Sequence, residues 1–213
     1  MLSRLGVDLG GRLMPATRDN PKGYFEHRDI VAVHDGLLTA LGSSWNNIRS
    51  LPPGWQDSQV AQIARTALRH IVKRDFSAAE LWGLKDPRLC RLLPLWQPLF
   101  AELAIEPHYI IMLRRASEGV ASLAKRDRIG VPRARLLWLR HVLEAEAATR
   151  GHKRNILHYH SLVGDKDGWL RVSARRESDR GRTGPVPSEA AASAIADLLT
   201  PEFWQSRKQR IMD

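Results

Sequence analysis

Short β-type runs alternate along this chain with longer stretches of helical periodicity. The three runs lie at residues 81–84, 108–113 and 155–159, and turn or charged residues bound each of them. Strands separated by helices of ten or more residues are typical of βαβ units with a mostly parallel sheet. We therefore expect an α/β fold.

Apolar residues recur at helical spacing in the segments around these runs. The predicted helices span residues 29–41, 56–74, 91–103, 117–126 and 132–150, with a sixth from Ser188 to about Leu199. Residues 42–56 and 164–187 have no regular pattern. Neither an internal repeat nor a linker interrupts the 213 residues, so we expect one domain, residues 1–213, with a divergent loop at about 164–187.

The net charge of +10 is compatible with a polyanionic partner. The basic excess is spread along the chain, and its one local concentration, residues 171–182, lacks aromatic side chains on which bases could stack. A nucleic-acid partner is therefore not expected. Binding to nucleic acid through charge alone stays as a third hypothesis, and it predicts a steep dependence of affinity on salt.

Other sequence features limit the expected cellular location and the chemistry that cysteine and histidine could perform. No apolar run approaches the roughly 18 residues of a membrane span, and residues 1–15 lack the pattern of a signal peptide, so a cytoplasmic location is expected. Cys90 is the single cysteine, which excludes an intramolecular disulfide and favours packing over nucleophilic chemistry. His158 and His160 alternate on a predicted strand, but no third ligand is nearby, so no metal is expected.

Basic side chains follow the first two predicted strands. Residues 85–88 follow the first, and Arg114 and Arg115 follow the second. Ligands of parallel sheets bind beyond the carboxyl ends of the strands, so these clusters indicate a ligand with two or three negative charges. Ser122 lies about two helical turns further on, where its hydroxyl and Arg114 could hold one phosphate. The alternative is a strand-end charge and a small packing residue.

The combination of segments resembles bacterial sulfotransferases. Four features carry the resemblance, which covers about residues 2–170: the strand-Arg114-helix-Ser122 spacing, residues 20–29 (NPKGYFEHRD), residues 84–89 (LKDPRL) and residues 156–162 (ILHYHSL). The resemblance implies a three-layer α/β/α fold of the P-loop-NTPase type with a mostly parallel sheet. It also implies transfer of a sulfuryl group from 3′-phosphoadenosine 5′-phosphosulfate (PAPS), without a metal, to a hydroxyl or amine. The acceptor would be a small molecule, a carbohydrate or a lipid.

The resemblance implies a role for each matching residue. Arg114 and Ser122 would bind the 3′-phosphate of the donor. Lys85 would reach the bridging or sulfuryl oxygens and stabilise the charge that develops as the sulfuryl group leaves. Asp86 and Pro87 would shape the turn that aims the lysine, and Arg88 would contact an acidic acceptor or simply pair with a carboxylate.

Glu26 is the candidate base for the acceptor hydroxyl. Its alternative role is that of a negative residue before a helix, where it interacts favourably with the helix dipole. His27 and His34 are spaced to share one helix face, and either could act as the base or, in the case of His27, contact the acceptor. Histidines on a solvated helix face are the simpler interpretation.

One element of the family is missing from the sequence. Sulfotransferases open with an apolar strand and a loop that cradles the 5′-phosphosulfate, whereas residues 1–10 look like the end of the helix after that loop. We therefore expect an N-terminally truncated fold with weak or no activity, for which oligomerisation is one way to cover the exposed sheet. The alternative function is a non-catalytic remnant that binds an anion or a partner protein.

Overall fold

The computed structural model describes residues 6–18, 20–21 and 23–160. Three sequence predictions lie outside the described residues: the loop at 164–187, the final helix, and residues 161–162 of the last family-like segment.

The described part of the chain contains five α-helices, one short 3-10 helix and two strands. They are α1 (Arg28–Ala40), the 3-10 helix (Trp55–Asp57), α2 (Gln59–Phe76), α3 (Leu89–Glu102), β1 (Tyr109–Leu113), α4 (Ala116–Asp127), α5 (Val131–Ala148) and β2 (Arg154–His158). The first five predicted helices and the last two predicted strands are confirmed, with each boundary shifted by no more than three residues.

Strands β1 and β2 pair in a parallel two-stranded sheet. At its edge the Tyr109 N–H donates to the Lys153 carbonyl over 2.9 Å. Helices α4 and α5 provide the long connection that parallel neighbours require. The described residues thus form a mixed α/β fold with a small parallel sheet. None of the helices in the described ranges is both long and apolar enough to cross a bilayer.

The first predicted strand, residues 81–84, is reduced to a single parallel bridge between Asp8 and Trp82. The Asp8 N–H donates to the Leu81 carbonyl over 3.0 Å, and the Gly83 N–H donates to the Asp8 carbonyl over 2.8 Å. The expectation that the first ten residues end a helix is therefore wrong around Asp8, where the chain is extended and pairs with a neighbouring segment.

The chain divides into two compact units. One, called here the main unit, consists of Val7–Ile111 and Arg115–Asn155. The other described residues, Gly6, Met112–Arg114 and residues 156–160, belong to the second unit. Each unit is described by itself.

The core of the main unit lies between α1, α2 and α3. Amphipathic helices bury one stripe each, and full burial of one large apolar side chain contributes about 1.5–3 kcal/mol. The apolar side chains of this core with at most 2% exposure are Ile30, Leu38, Ala61, Leu68, Phe76, Leu92, Leu95, Trp96 and Leu99. A smaller cluster joins α4 to α5 around Val120 and Leu137. Helix α2 packs against both α1 and α3, and side chains of α1 reach the residues just before α3.

Candidate functional site

Glu26 occupies a bent segment just before α1. Residues 12–14 run antiparallel to residues 26–28, with the Met14 N–H donating to the Glu26 carbonyl over 2.7 Å. Phe25 has a φ of +54° although it is not glycine, and its side chain is largely exposed. A non-glycine residue in this region costs about 1–2 kcal/mol. Glu26, which follows this turn, is only 7% exposed.

Lys85 and Arg88 meet the Glu26 carboxylate. Lys85 Nζ donates to Glu26 Oε1 over 2.5 Å, and Arg88 Nη1 lies 3.7 Å from Glu26 Oε2. The lysine side chain is 52% exposed, whereas that of Glu26 is 9% exposed. The structure thus brings together the predicted base, the predicted sulfuryl-contacting lysine and the predicted substrate-binding arginine. Of the three, the lysine is the most accessible to a ligand.

Arg88 is held by two further carboxylates. Its Nε and Nη2 donate to the two oxygens of Asp35 over 2.6 and 2.9 Å, and its Nη1 donates to Asp86 Oδ1 over 3.0 Å. Burial opposes the charge of Arg88, but the hydrogen bond to Asp35 and the negative charge of Asp86 outweigh it and raise the pKa of the guanidinium. We call Glu26, Asp35, Asp86, Lys85 and Arg88 the Arg88 cluster.

A buried chain of hydrogen bonds supports Asp86. Trp96 Nε1–H donates to His34 Nε2 over 2.8 Å, and His34 Nδ1 lies 2.8 Å from Asp86 Oδ2. An indole N–H can only donate, so His34 accepts at Nε2 and carries its proton on Nδ1, from which it donates to Asp86. Both ring nitrogens are therefore committed, and His34 is not available as a base.

Asp86 keeps its negative charge despite its burial. Burial raises the pKa of Asp86, but the hydrogen bond from His34 and the charge and backbone N–H of Arg88 outweigh it and lower the pKa below the ordinary value. The same carboxylate accepts from the Arg88 backbone N–H over 2.9 Å. This local bond shapes the turn after Lys85, which is the role expected of Asp86.

His27 caps helix α1. Its Nδ1 accepts from the Ile30 N–H over 3.5 Å, and its Nε2 lies 3.0 Å from Asp75 Oδ2. The expectation of a solvated histidine face is wrong, because His27 is 3% exposed and His34 is fully buried. Sequence reasoning missed a usable signal here, since His34 lies at helical spacing with Ile30 and Leu37. His27 thus stabilises the start of α1 through both ring nitrogens.

Arg114 and Ser122 belong to different compact units. Arg114 lies in the second unit, with its guanidinium carbon 5.2 Å from the centre of the Tyr159 ring. Ser122 is half-buried on α4 in the main unit. Their shared binding of a 3′-phosphate stays a prediction.

Among the described residues, no group of three or more His, Cys, Asp or Glu side chains could hold a metal ion. The premise that His158 and His160 alternate on one strand is wrong, because β2 ends at His158 and residue 160 is helical. Burial and the nearby negative charges of Asp86 and Glu144 raise the pKa of the Cys90 thiol to about 11. The thiol is thus protonated near neutral pH and is a poor nucleophile.

Arginines fix the irregular stretch after α1, a feature that sequence reasoning missed. Arg91 is fully buried and donates to the Asn47 carbonyl over 3.0 Å and to the Arg49 carbonyl over 2.7 Å. Glu144 accepts from Arg91 over 3.0 Å and from Arg140 over 2.8 Å. Arg140 also donates to the carbonyl of residue 48. We call these arginines, Glu144 and residues 44–50 the Arg91 cluster.

The observed class is a mixed α/β protein whose Arg88 cluster joins an exposed lysine to a buried carboxylate. Comparisons with protein-family models, curated proteins and solved structures find no match to the chain.

Proposed function

We propose that the chain is a sulfotransferase-type protein that transfers a sulfuryl group from PAPS to a hydroxyl or amine acceptor. The observation that carries this proposal is the 2.5 Å contact between Lys85 Nζ and Glu26 Oε1 beside Arg88. A cation for the donor and a carboxylate for the acceptor proton are both needed within one site, and these two side chains are in direct contact.

PAPS supplies the sulfuryl group and a good leaving group. As the acceptor oxygen bonds to sulfur and the bond from sulfur to the donor phosphate breaks, the acceptor proton must go to a base. We assign that proton to Glu26, because Glu26 is the carboxylate in direct contact with the lysine that would meet the donor. Lys85 donates to the departing oxygens and stabilises their negative charge. Arg88, held by Asp35 and Asp86, keeps Glu26 oriented.

The finer fold forms part of the same proposal. A mostly parallel sheet in three α/β/α layers would contain β1 and β2, and the segment around Asp8 would pair beside residues 81–84. Two observations support it: β1 and β2 are parallel, and the Asp8–Trp82 bridge is parallel. Lys85 then follows a sheet-forming segment, at the end where ligands of such sheets bind.

The residues fit the donor in part. Lys85 is half exposed, so its ammonium can exchange Glu26 for a sulfuryl oxygen without crossing the core. Arg114 and Ser122 remain the proposed contacts of the 3′-phosphate. Arg88 is held by carboxylates, so we assign it to orienting Glu26 rather than to binding the donor.

The site assignment is tested by calorimetric titration with 3′-phosphoadenosine 5′-phosphate. Arg114→Ala should weaken binding about tenfold or more, because it removes a charge-assisted hydrogen bond of about 1.5–3 kcal/mol. Arg115→Ala is the matched control, since Arg115 is the adjacent exposed arginine, and it should bind within about twofold of wild type. Equal affinity of all three proteins, or no binding by any, would overturn the assignment.

A non-catalytic anion-binding or protein-interaction remnant is the second candidate. The observation that favours a non-catalytic role is that Asp35 and Asp86 hold Arg88, which leaves its guanidinium committed to carboxylates of the chain itself. The test is consumption of PAPS in the presence of a panel of alcohol and amine acceptors. The enzyme proposal predicts weak turnover that Glu26→Gln removes, whereas a remnant binds the nucleotide without any turnover.

A further inference from the structure

Helix α5 presents a row of leucines on the side away from its packing partners. Leu136, Leu139 and Leu143 are 52%, 45% and 56% exposed. Spacings of three and four residues place them in one line along the helix. The buried residues of α5, including Ala134 and Leu137, lie on the opposite side, where the helix packs against α3 and α4. We call this line of three leucines the leucine stripe.

Basic side chains border the stripe. No acidic residue occurs between Arg128 and Leu143. Arg133 lies three residues before the first leucine and Arg135 four residues before the second, so both are neighbours of the stripe on the helix surface. The exposed cations of the α4–α5 turn and the first turns of α5 are Lys125, Arg126, Arg128, Arg133 and Arg135, of which Arg126 is paired with Asp127 over 2.8 Å.

The far end of the stripe is close to neutral. Glu146 lies three residues after Leu143, but Arg150 donates to it over 2.7 Å and Arg154 over 3.2 Å. The positive charge is therefore concentrated at the N-terminal end of α5, around the first two leucines.

We propose that α5 is a peripheral membrane-binding surface that lies on a bilayer rich in anionic lipid. A helix with exposed leucines on one line and arginines beside it lies in the plane of the membrane interface, with the leucines among the acyl chains and the guanidinium groups at the phosphates. The long arginine side chains reach the headgroups while their stems cover apolar surface. This surface is separate from the Arg88 cluster, and it does not depend on sulfuryl transfer.

Charge complementarity favours a membrane over a second copy of the chain. In a symmetric dimer through the leucine stripe, each basic border would face its own copy, and like charges at an interface repel. Anionic headgroups instead neutralise the same arginines. We therefore assign the stripe to a lipid surface, and dimerisation becomes an outcome of the test.

The test is sedimentation of the full-length protein with vesicles. Vesicles of 30% phosphatidylserine in phosphatidylcholine should bind the protein at 0.1 M salt, and vesicles of pure phosphatidylcholine should bind it far more weakly. Arg128→Gln with Arg135→Gln should weaken binding about 30-fold, because each basic side chain contributes about fivefold at an anionic surface. Leu136→Gln, Leu139→Gln and Leu143→Gln together should weaken it roughly tenfold or more.

Matched controls keep the outcomes distinct. Ile63→Gln replaces an apolar side chain of α2 that is 62% exposed, and Arg28→Gln with Lys73→Gln removes two exposed cations elsewhere in the main unit. Both controls should bind like wild type. Absence of binding to the anionic vesicles overturns the proposal, as does unchanged binding by the leucine variant, which indicates attraction by charge alone. A wild-type dimer that the leucine variant converts to a monomer also overturns it.

Discussion

Two arginines one helical turn apart, Arg88 and Arg91, are held in opposite ways. Arg88 lies at the start of α3 with its side chain 14% exposed, and carboxylates surround it. Arg91 has a fully buried side chain, and most of its partners are backbone carbonyls. Backbone carbonyl oxygens do not change their protonation near neutral pH. The contacts of Arg91 therefore hold the loop of residues 44–50 in place. Carboxylates can change their protonation and their partners, so the Arg88 cluster is the one suited to chemistry.

The exposure of the two clusters differs in the same sense. Lys85, at the edge of the Arg88 cluster, has half of its side chain in solvent, whereas in the Arg91 cluster the central cation is enclosed. A ligand can therefore replace a contact at Lys85 without breaking the core. The difference indicates that one cluster is structural and the other is open to a ligand.

The largest expected effect is on stability. Arg91→Leu should lower the free energy of unfolding by about 3–4 kcal/mol, because it removes several hydrogen bonds from buried carbonyls and leaves Glu144 with one arginine fewer. The measurement is urea denaturation at pH 7. Arg133→Leu is the control, since the exposed Arg133 makes one bond to the same loop, and it should change stability by less than about 1 kcal/mol. If the two variants lost similar amounts of unfolding free energy, the structural role assigned to the buried Arg91 would be wrong.

The buried chain behind Arg88 should come next in magnitude. His34→Leu leaves both Asp86 and the Trp96 N–H without their partner, so we expect a loss of about 2–4 kcal/mol. Trp96→Phe removes the donor to His34 together with part of a fully buried side chain, so it should cost about 2–3 kcal/mol. Urea denaturation of the two single variants and the double variant measures their coupling, and the double variant should lose less than the sum of the two single losses. Additive losses would show that the chain from Trp96 to Asp86 does not act through His34.

A smaller, pH-dependent effect is expected at Asp86. Its folded pKa is lowered, so its ionised form contributes stability above the unfolded pKa of about 3.9, and this contribution is lost as the pH falls through the folded pKa. Asp86→Asn should therefore cost about 2 kcal/mol at pH 7, and the difference from wild type should shrink below about pH 4. Unfolding curves at pH 7 and pH 3 test this, and equal differences at the two values would contradict it.

The sequence predicted those parts of the fold that depend on local pattern. The apolar stripes of α1 to α5 predicted five helices, and the β-branched and aromatic side chains within 108–113 predicted β1. Residues 81–84 form only one bridge, and their partner around Asp8 is rich in glycine and so gave no strand signal. The carboxylates that hold Arg88 were harder to predict. Asp35 lies 53 positions from Arg88 in the sequence, and Asp86 contacts Arg88 within a turn, so no periodic pattern indicates either contact.

Three of the predicted site residues, Glu26, Lys85 and Arg88, lie together in the structure, and their roles stay predictions. The sequence did not show how these residues pair. The pairing of Arg88 with Asp35 joins residues 53 positions apart, and no spacing rule connects them. The burial of His34 was present in the pattern of α1, but histidine on an otherwise amphipathic helix was interpreted as solvated.

Lys153 provides a matched comparison for Lys85. Both lysines donate to a glutamate over 2.5 Å, and both are more than half exposed. They differ in the glutamate: Glu26 is 9% exposed within the Arg88 cluster, whereas Glu106 is 76% exposed. A surface pair of the second kind contributes little to stability, and the proposal gives the Lys153–Glu106 pair no role.

Titration of PAPS into Lys85→Gln and Lys153→Gln, by calorimetry without an acceptor, tests the proposed role of Lys85 most directly. We expect Lys85→Gln to bind at least about tenfold more weakly than wild type, because it removes a charge-assisted hydrogen bond of about 1.5–3 kcal/mol. Lys153→Gln should bind within about twofold of wild type. Equal affinity of Lys85→Gln and wild type, or equal weakening by both variants, would contradict the assignment of Lys85 to the donor.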